Sequence, residues 1–174
     1  LNSDPGSLSG LFVHEKHAQR KDLPRFAGWW NHNKETRFNM RQPFDVMEGA
    51  EGWQLSNPPI LSMAAIKASL DIFEKVGMDV LVKKSKKLTG FFEYLVNEIA
   101  SDTIKIITPT NPNERGCQLS LQVKNADKNL HKKLTENNII TDWREPDVIR
   151  CAPVPMYTSF EDVYHMVTIL ESLL

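Results

Sequence analysis

The 174 residues of this chain suffice for one ordinary domain, or for one domain with part of another. With 41% hydrophobic and 25% charged residues the composition is that of a soluble globular protein and excludes wholesale disorder. Lysine and arginine total 21 against 22 aspartate and glutamate, so the net charge of −1 gives no global basic field for a nucleic acid or an anionic membrane. No apolar run approaches the roughly 18 residues that cross a bilayer. Cys117 and Cys151 are too few for a disulfide framework or a complete zinc site, and a reducing, intracellular setting is the default.

The chain opens at Leu1 in loop chemistry, Ser3 to Gly10, without an initiator methionine, and reads as the C-terminal part of something longer. Leu11-Phe12-Val13 between Gly10 and Glu15 predicts a short buried strand. From Glu15 to Leu55 no period is sustained. Trp29, Trp30 and Trp53, with Pro24 and Pro43 as breakers, suggest a long ordered excursion of the kind that carries function. Ser56-Asn57-Pro58-Pro59 is a helix start, and Met63, Ile66, Leu70 and Phe73 then repeat at helical spacing until Gly77. A second helix is predicted from about Asp79 to Ala100, with Leu81, Leu88, Phe92, Leu95 and Ile99 inward and four lysines on its solvated flank.

Beyond residue 100 strands and helices alternate. Strands are predicted at Ile104–Ile107, at Cys117–Val123, at Ile139-Ile140 and at Val148–Ala152. Between them Asp127–Asn137 reads as a short helix. Phe160 to Leu174 reads as a closing helix capped by Ser159, with Asp162 at its third position. The second half is therefore a small sheet packed against helices.

Several residues carry chemistry in this pattern. His14 and His17 stand three apart but lack a third ligand, so a surface turn explains them better than a metal site. Cys117 reads as a small buried hydrophobe. Cys151 stands beside Arg150, which could lower its pKa, yet no histidine accompanies it as a base. Arg150 itself lies in a strand that otherwise reads as buried. An internal ion pair and a bidentate clamp on a ligand carboxylate both fit, and the nearby strand end at Ala152-Pro153 favours the ligand. Asn57 is explained most simply as a helix cap, although polar ligand atoms also gather at a helix N-terminus. Trp29 and Trp30 offer an indole N–H or a flat ring face.

Taken in order, Phe12-Val13-His14-Glu15-Lys16-His17, Gly28-Trp29, Thr36-Arg37-Phe38, Ser56-Asn57-Pro58-Pro59-Ile60, Glu114-Arg115-Gly116-Cys117-Gln118-Leu119, Ile149-Arg150-Cys151-Ala152-Pro153-Val154-Pro155 and Ser159-Phe160-Glu161-Asp162 closely resemble the C-terminal part of the kynureninase family. These are pyridoxal 5'-phosphate enzymes of the aspartate-aminotransferase fold. The resemblance implies an α/β fold: the C-terminal part of a type I pyridoxal-phosphate transferase-like fold, with a remnant of the large domain and a complete small α+β domain. Residues 1–57 would be the tail of the large cofactor-binding domain, 58–77 an interdomain helix and 78–174 the small domain.

The resemblance also implies roles. Trp29 would bind the cofactor phosphate. Asn57 would sit in the cofactor and substrate site, facing the aromatic amino-ketone end of the substrate, and Arg150 would clamp the substrate α-carboxylate. The Schiff-base lysine would fall just upstream of Leu1, so the chain by itself would be inactive. The turn after Asn2 departs from the family pattern at Ser3, Asp4 and Pro5. The implied reaction is cleavage of L-kynurenine or 3-hydroxykynurenine to an anthranilate and L-alanine, in a cytoplasmic homodimer serving tryptophan catabolism toward NAD. The alternatives are another type I enzyme, such as a cysteine desulfurase or aminotransferase relative, or a truncated, non-catalytic interaction partner. A sheet edge left unpaired at Leu11–Val13 would make the chain poorly soluble alone.

Overall fold

The computed structural model describes residues 8–39, 43–99 and 102–174. It divides between Lys75 and Val76 into two compact units.

The first unit has little regular structure. One helical turn, α1 (Glu15–Ala18), is capped by His14, whose Nδ1 accepts the Lys16 N–H at 3.2 Å. Single 3₁₀ turns follow at Arg37–Asn39 and Ala50–Trp53. The strand expected at Leu11–Val13 is not formed. No strand pairs with it among the described residues, and Leu11 and Phe12 are exposed. A lone extended segment leaves its backbone groups to water, so its apolar content alone does not hold it in a ladder.

The helix expected after Ser56 is α2 (Ile60–Val76). Its first bond runs from the Met63 N–H to the Pro59 carbonyl at 3.0 Å, so Pro59 rather than Asn57 occupies the cap position. The two prolines keep residues 57–59 out of the helix and delay its start. No residue of α2 is buried. Gly77, at φ 84, takes the left-handed conformation that ends this helix and opens the next.

The second unit is a four-stranded antiparallel sheet backed by helices. Its elements are α3 (Met78–Glu98), β1 (Ile104–Ile106), β2 (Leu119–Val123), α4 (Lys128–Glu136), β3 (Asp142–Arg144), β4 (Val148–Cys151) and α5 (Phe160–Leu173). The strand order is β1-β2-β4-β3. Alternation in β2 and β4 sends Leu119, Leu121, Val123, Ile149 and Cys151 to one face. There they share a core with Leu88, Phe92 and Val96 of α3, Leu130 and Leu134 of α4, and Val163, Val167 and Leu170 of α5. Each fully buried leucine or valine contributes about 1.5–3 kcal/mol.

The strand expected at Ile139-Ile140 lies three residues later, at Asp142–Arg144. Ile140 is 81% exposed, and the β-bonded partner of Ile149 is Trp143. Ile139 packs against the core from the loop, as Trp143 does from β3, so core contact does not require Ile139 to be in a strand. The capping box of α5 is complete. Ser159 Oγ accepts the Asp162 N–H at 3.0 Å, and Asp162 Oδ2 accepts the Ser159 N–H at 2.7 Å.

Candidate active site

In the first unit, the Trp29 loop is built around a buried asparagine. The Asn31 Oδ1 accepts the Gly28 N–H at 3.0 Å, its Nδ2 donates to the Phe26 carbonyl at 3.0 Å, and its carbonyl accepts the Met47 N–H at 2.9 Å. Asn31 has no exposed surface, so these bonds replace the water it has lost. The loop is pressed against the segment before α2. The Trp30 N–H donates to the Leu55 carbonyl at 3.4 Å, and a Cβ on Gly28 would lie only 2.2 Å from that carbonyl oxygen. Only glycine admits this approach. Trp29 and Asn57 are thus carried by two segments that meet at Leu55.

Trp29 is 45% exposed and packs edge-on against Trp30, at 5.8 Å, and Phe38, at 5.4 Å. Trp30 is in turn covered by the Arg37 guanidinium at 4.8 Å. Nearby, His32 Nδ1 accepts the Asp45 N–H, which puts the ring proton on Nε2, facing Thr36 Oγ1 at 3.2 Å. Asn57 is exposed.

In the second unit, Arg150 lies on the sheet face opposite the core. Cross-strand register aligns Ser120, Arg150 and Asp142 in one row and Gln122, Val148 and Arg144 in the next. This face is polar because strand alternation sends every second residue away from the helices. The strand does not bury Arg150 as the sequence suggests; its side chain is 35% exposed. Its guanidinium pairs with Asp142: Nε donates to Oδ2 at 2.6 Å, and Nη2 contacts the same oxygen. Arg144 Nε also donates to Asp142 Oδ2, at 3.0 Å. The hydrogen bond from Arg150, with the charges of Arg144 and Arg150 behind it, holds the Asp142 carboxyl below the usual carboxylate range. β4 is an inner strand, but Arg150 is its second-last residue, beside the chain's exit toward Pro153.

Cys151 points the other way, into the core. Burial pushes its thiol up to about 12, which corrects the expectation that Arg150 could lower it. Adjacent strand residues face opposite sides of the sheet, so the guanidinium never reaches the sulfur. Cys117 is half-buried rather than fully buried. A second arginine, Arg115, is enclosed almost completely. It bonds Glu93 at 2.6 Å and the Pro109 carbonyl at 3.2 Å, pinning the β1–β2 loop to α3. Among the described residues no three histidine, cysteine or acidic side chains converge on a common point. None of the described helices is long and apolar enough to cross a membrane.

The family model for the kynureninase C-terminal domain matches residues 81–170, from α3 through α5. The chain belongs to the kynureninase family.

Kynureninases from Myxococcus xanthus and Flavobacterium psychrophilum are 52% and 50% identical to it over 171 and 174 residues. Each alignment takes in 98% of this chain, but only 40% and 41% of the relative. The chain therefore spans about two fifths of the length of the curated kynureninases it matches. Among solved structures, an apo cysteine desulfurase from Thermococcus onnurineus superposes with a TM-score of 0.66 at 15% identity, covering 92% of this chain and 41% of its own. The cystine C–S lyase C-DES, bound to cysteine persulfide, gives 0.62 at 18% identity, covering 85% and 38%. These neighbours carry the type I pyridoxal-phosphate fold, and this chain shares that fold with them.

Sequence reasoning missed Asn31 and Asp142. A polar residue three positions after Gly28, in a segment otherwise rich in tryptophan, is the signal for the first. The second is visible once β3 is placed in register, because Asp142 then stands directly across from Arg150.

Proposed function

We propose that this chain is the C-terminal portion of a pyridoxal-phosphate-dependent hydrolase. The enzyme cleaves the Cβ–Cγ bond of L-kynurenine or 3-hydroxykynurenine, releasing an anthranilate and L-alanine in tryptophan catabolism toward NAD. The observation that carries this reading is the continuous identity of about half the residues to proteins named kynureninase, across both units rather than in one motif. The working enzyme is a cytoplasmic homodimer in this reading. Residues 1–57 belong to its cofactor domain, 58–77 to an interdomain helix and 78–174 to its small domain.

The residues present suit the cofactor. Trp29 is half-exposed, packs edge-on against Trp30 and Phe38, and bonds no acceptor through its Nε1–H among the described residues. An indole N–H so placed donates to a phosphate oxygen. When bound, pyridoxal phosphate withdraws electrons from the substrate Cα. Arg150 binds the α-carboxylate and thereby fixes which Cα bond is aligned for cleavage. Asn57 hydrogen-bonds the ketone end, where water must add. The lysine that holds the cofactor lies upstream of Leu1 in this reading, so the 174 residues alone do not turn over.

The test is to incubate the longer polypeptide carrying this segment with kynurenine, 3-hydroxykynurenine and cysteine, following fluorescent anthranilates and sulfide separately. Anthranilate release with alanine is the expected result. Sulfide from cysteine without anthranilate would instead make the protein a desulfurase.

A further inference from the structure

The pairing of Arg150 with Asp142 is more specific than a surface ion pair requires. Asp142 engages the Nε–Nη2 edge of the guanidinium, and Nη1 bonds no partner among the described residues. Arginine offers two edges to carboxylates, and a group held along one presents the other in a fixed plane. Asp142 is also shared with Arg144 on the same oxygen. Two guanidiniums share this one carboxylate, so the three groups together carry one positive charge; in the neighbouring row Gln122 stands across from Lys105 of β1 and donates to Asp147. The site can therefore take one further carboxylate without stranding a charge.

Cross-strand register fixes all of this. Asp142 and Arg150 are direct partners on adjacent strands, and β4 is hydrogen-bonded on both sides. The flexible arginine side chain is thus anchored to rigid backbone at its root and by Asp142 at its guanidinium, which reduces the rotamer freedom lost on binding.

We infer that Asp142 is a positioning residue: it holds the Arg150 guanidinium with its free edge turned to the substrate carboxylate. This rests on the reading of Arg150 as the carboxylate clamp. Asp142 touches no substrate; it acts through Arg150. Without it the arginine still carries its charge but samples several rotamers, and carboxylate binding weakens more than the bond-breaking step does.

The experiment uses the longer, cofactor-loaded polypeptide and compares Arg150→Gln, Asp142→Asn, Asp142→Glu and the Arg150→Gln/Asp142→Asn double variant. Arg150→Gln should raise KM for kynurenine by about tenfold or more, the loss expected of a charge-assisted bond. Asp142→Asn should raise KM by about three- to tenfold with a smaller fall in kcat, and Asp142→Glu should recover part of that loss. In the double variant Asp142→Asn should add nothing to Arg150→Gln, a coupling that a merely structural role would not produce. An unchanged or lowered KM in Asp142→Asn, beside a raised KM in Arg150→Gln, would overturn the inference and leave the clamp standing. An unchanged KM in Arg150→Gln would overturn both.

Discussion

Arg150 and Cys151 are neighbours in sequence with opposite environments, and the pleat of β4 is the reason. The arginine lies on the polar face with Asp142, and the cysteine lies in the core beside Ile149 and Phe92. A thiol pushed up to about 12 by burial holds almost no thiolate near neutrality. Iodoacetamide at about pH 8 should leave Cys151 unmodified in the folded protein and alkylate it only after denaturation. Labelling of native Cys151 at the rate of a free thiol would contradict its placement. Gly28 shows a different control by one residue. Its missing side chain allows the Trp29 loop to press on the Leu55 carbonyl, and Asn31 supplies the bonds that keep it there.

The reach of sequence reasoning at this scale follows from geometry. Arg150 is legible because a charge stands out among apolar strand neighbours, although the pleat puts it on the polar face, partly exposed. Its partner is not, because Asp142 becomes its neighbour only through pairing of two strands eight positions apart. Placing β3 at Ile139-Ile140 hides that row entirely. Asn31 is hidden for a related reason: its three bonds go to residues scattered from Phe26 to Met47, a pattern without a period.

At the scale of elements, periodicity serves the second unit well and the first unit badly. α4 buries Leu130 and Leu134 and β2 alternates as expected, while α3 and α5 bury most of their expected stripes and leave Leu95 half-buried and Phe160 and Leu174 exposed. Leu11–Val13 has apolar content but no ladder partner, so the same kind of signal fails there.

The start of α5 is the most testable element. Replacing Ser159 by alanine should cost about 1 kcal/mol, read from thermal or urea unfolding. Asp162 contributes with a definite sign in pH. Hydrogen bonds from the backbone and side chain of Ser159 hold its carboxyl below the ordinary value of 3.8. A depressed carboxyl stabilises the fold fully above the unfolded value. That contribution is lost as pH falls toward the folded pKa. Amide exchange in the first turn of α5 should therefore accelerate, relative to the rest of the helix, only below 3.8. Ser159→Ala should remove this selective acceleration. Uniform exchange across α5 in both proteins would show that the capping box does not hold the helix end.

At the scale of the whole molecule, the two units differ in how completely they satisfy themselves. The second has a closed core, a capped last helix and a sheet whose apolar face is covered. The first leaves Phe12, Phe26, Ile60 and Leu61 at least three-quarters exposed, and α2 buries nothing. That contrast goes with a chain spanning about two fifths of the length of its kynureninase relatives.

The most direct test of the central claim, that these residues complete a pyridoxal-phosphate enzyme, is to reduce the native polypeptide carrying them with borohydride and map the modified peptide by mass. The account predicts a chain longer than these 174 residues, with a pyridoxyl-phosphate adduct on a lysine immediately before Leu1. A native polypeptide that carries this segment and takes up no adduct, even when supplied with pyridoxal phosphate, would contradict it.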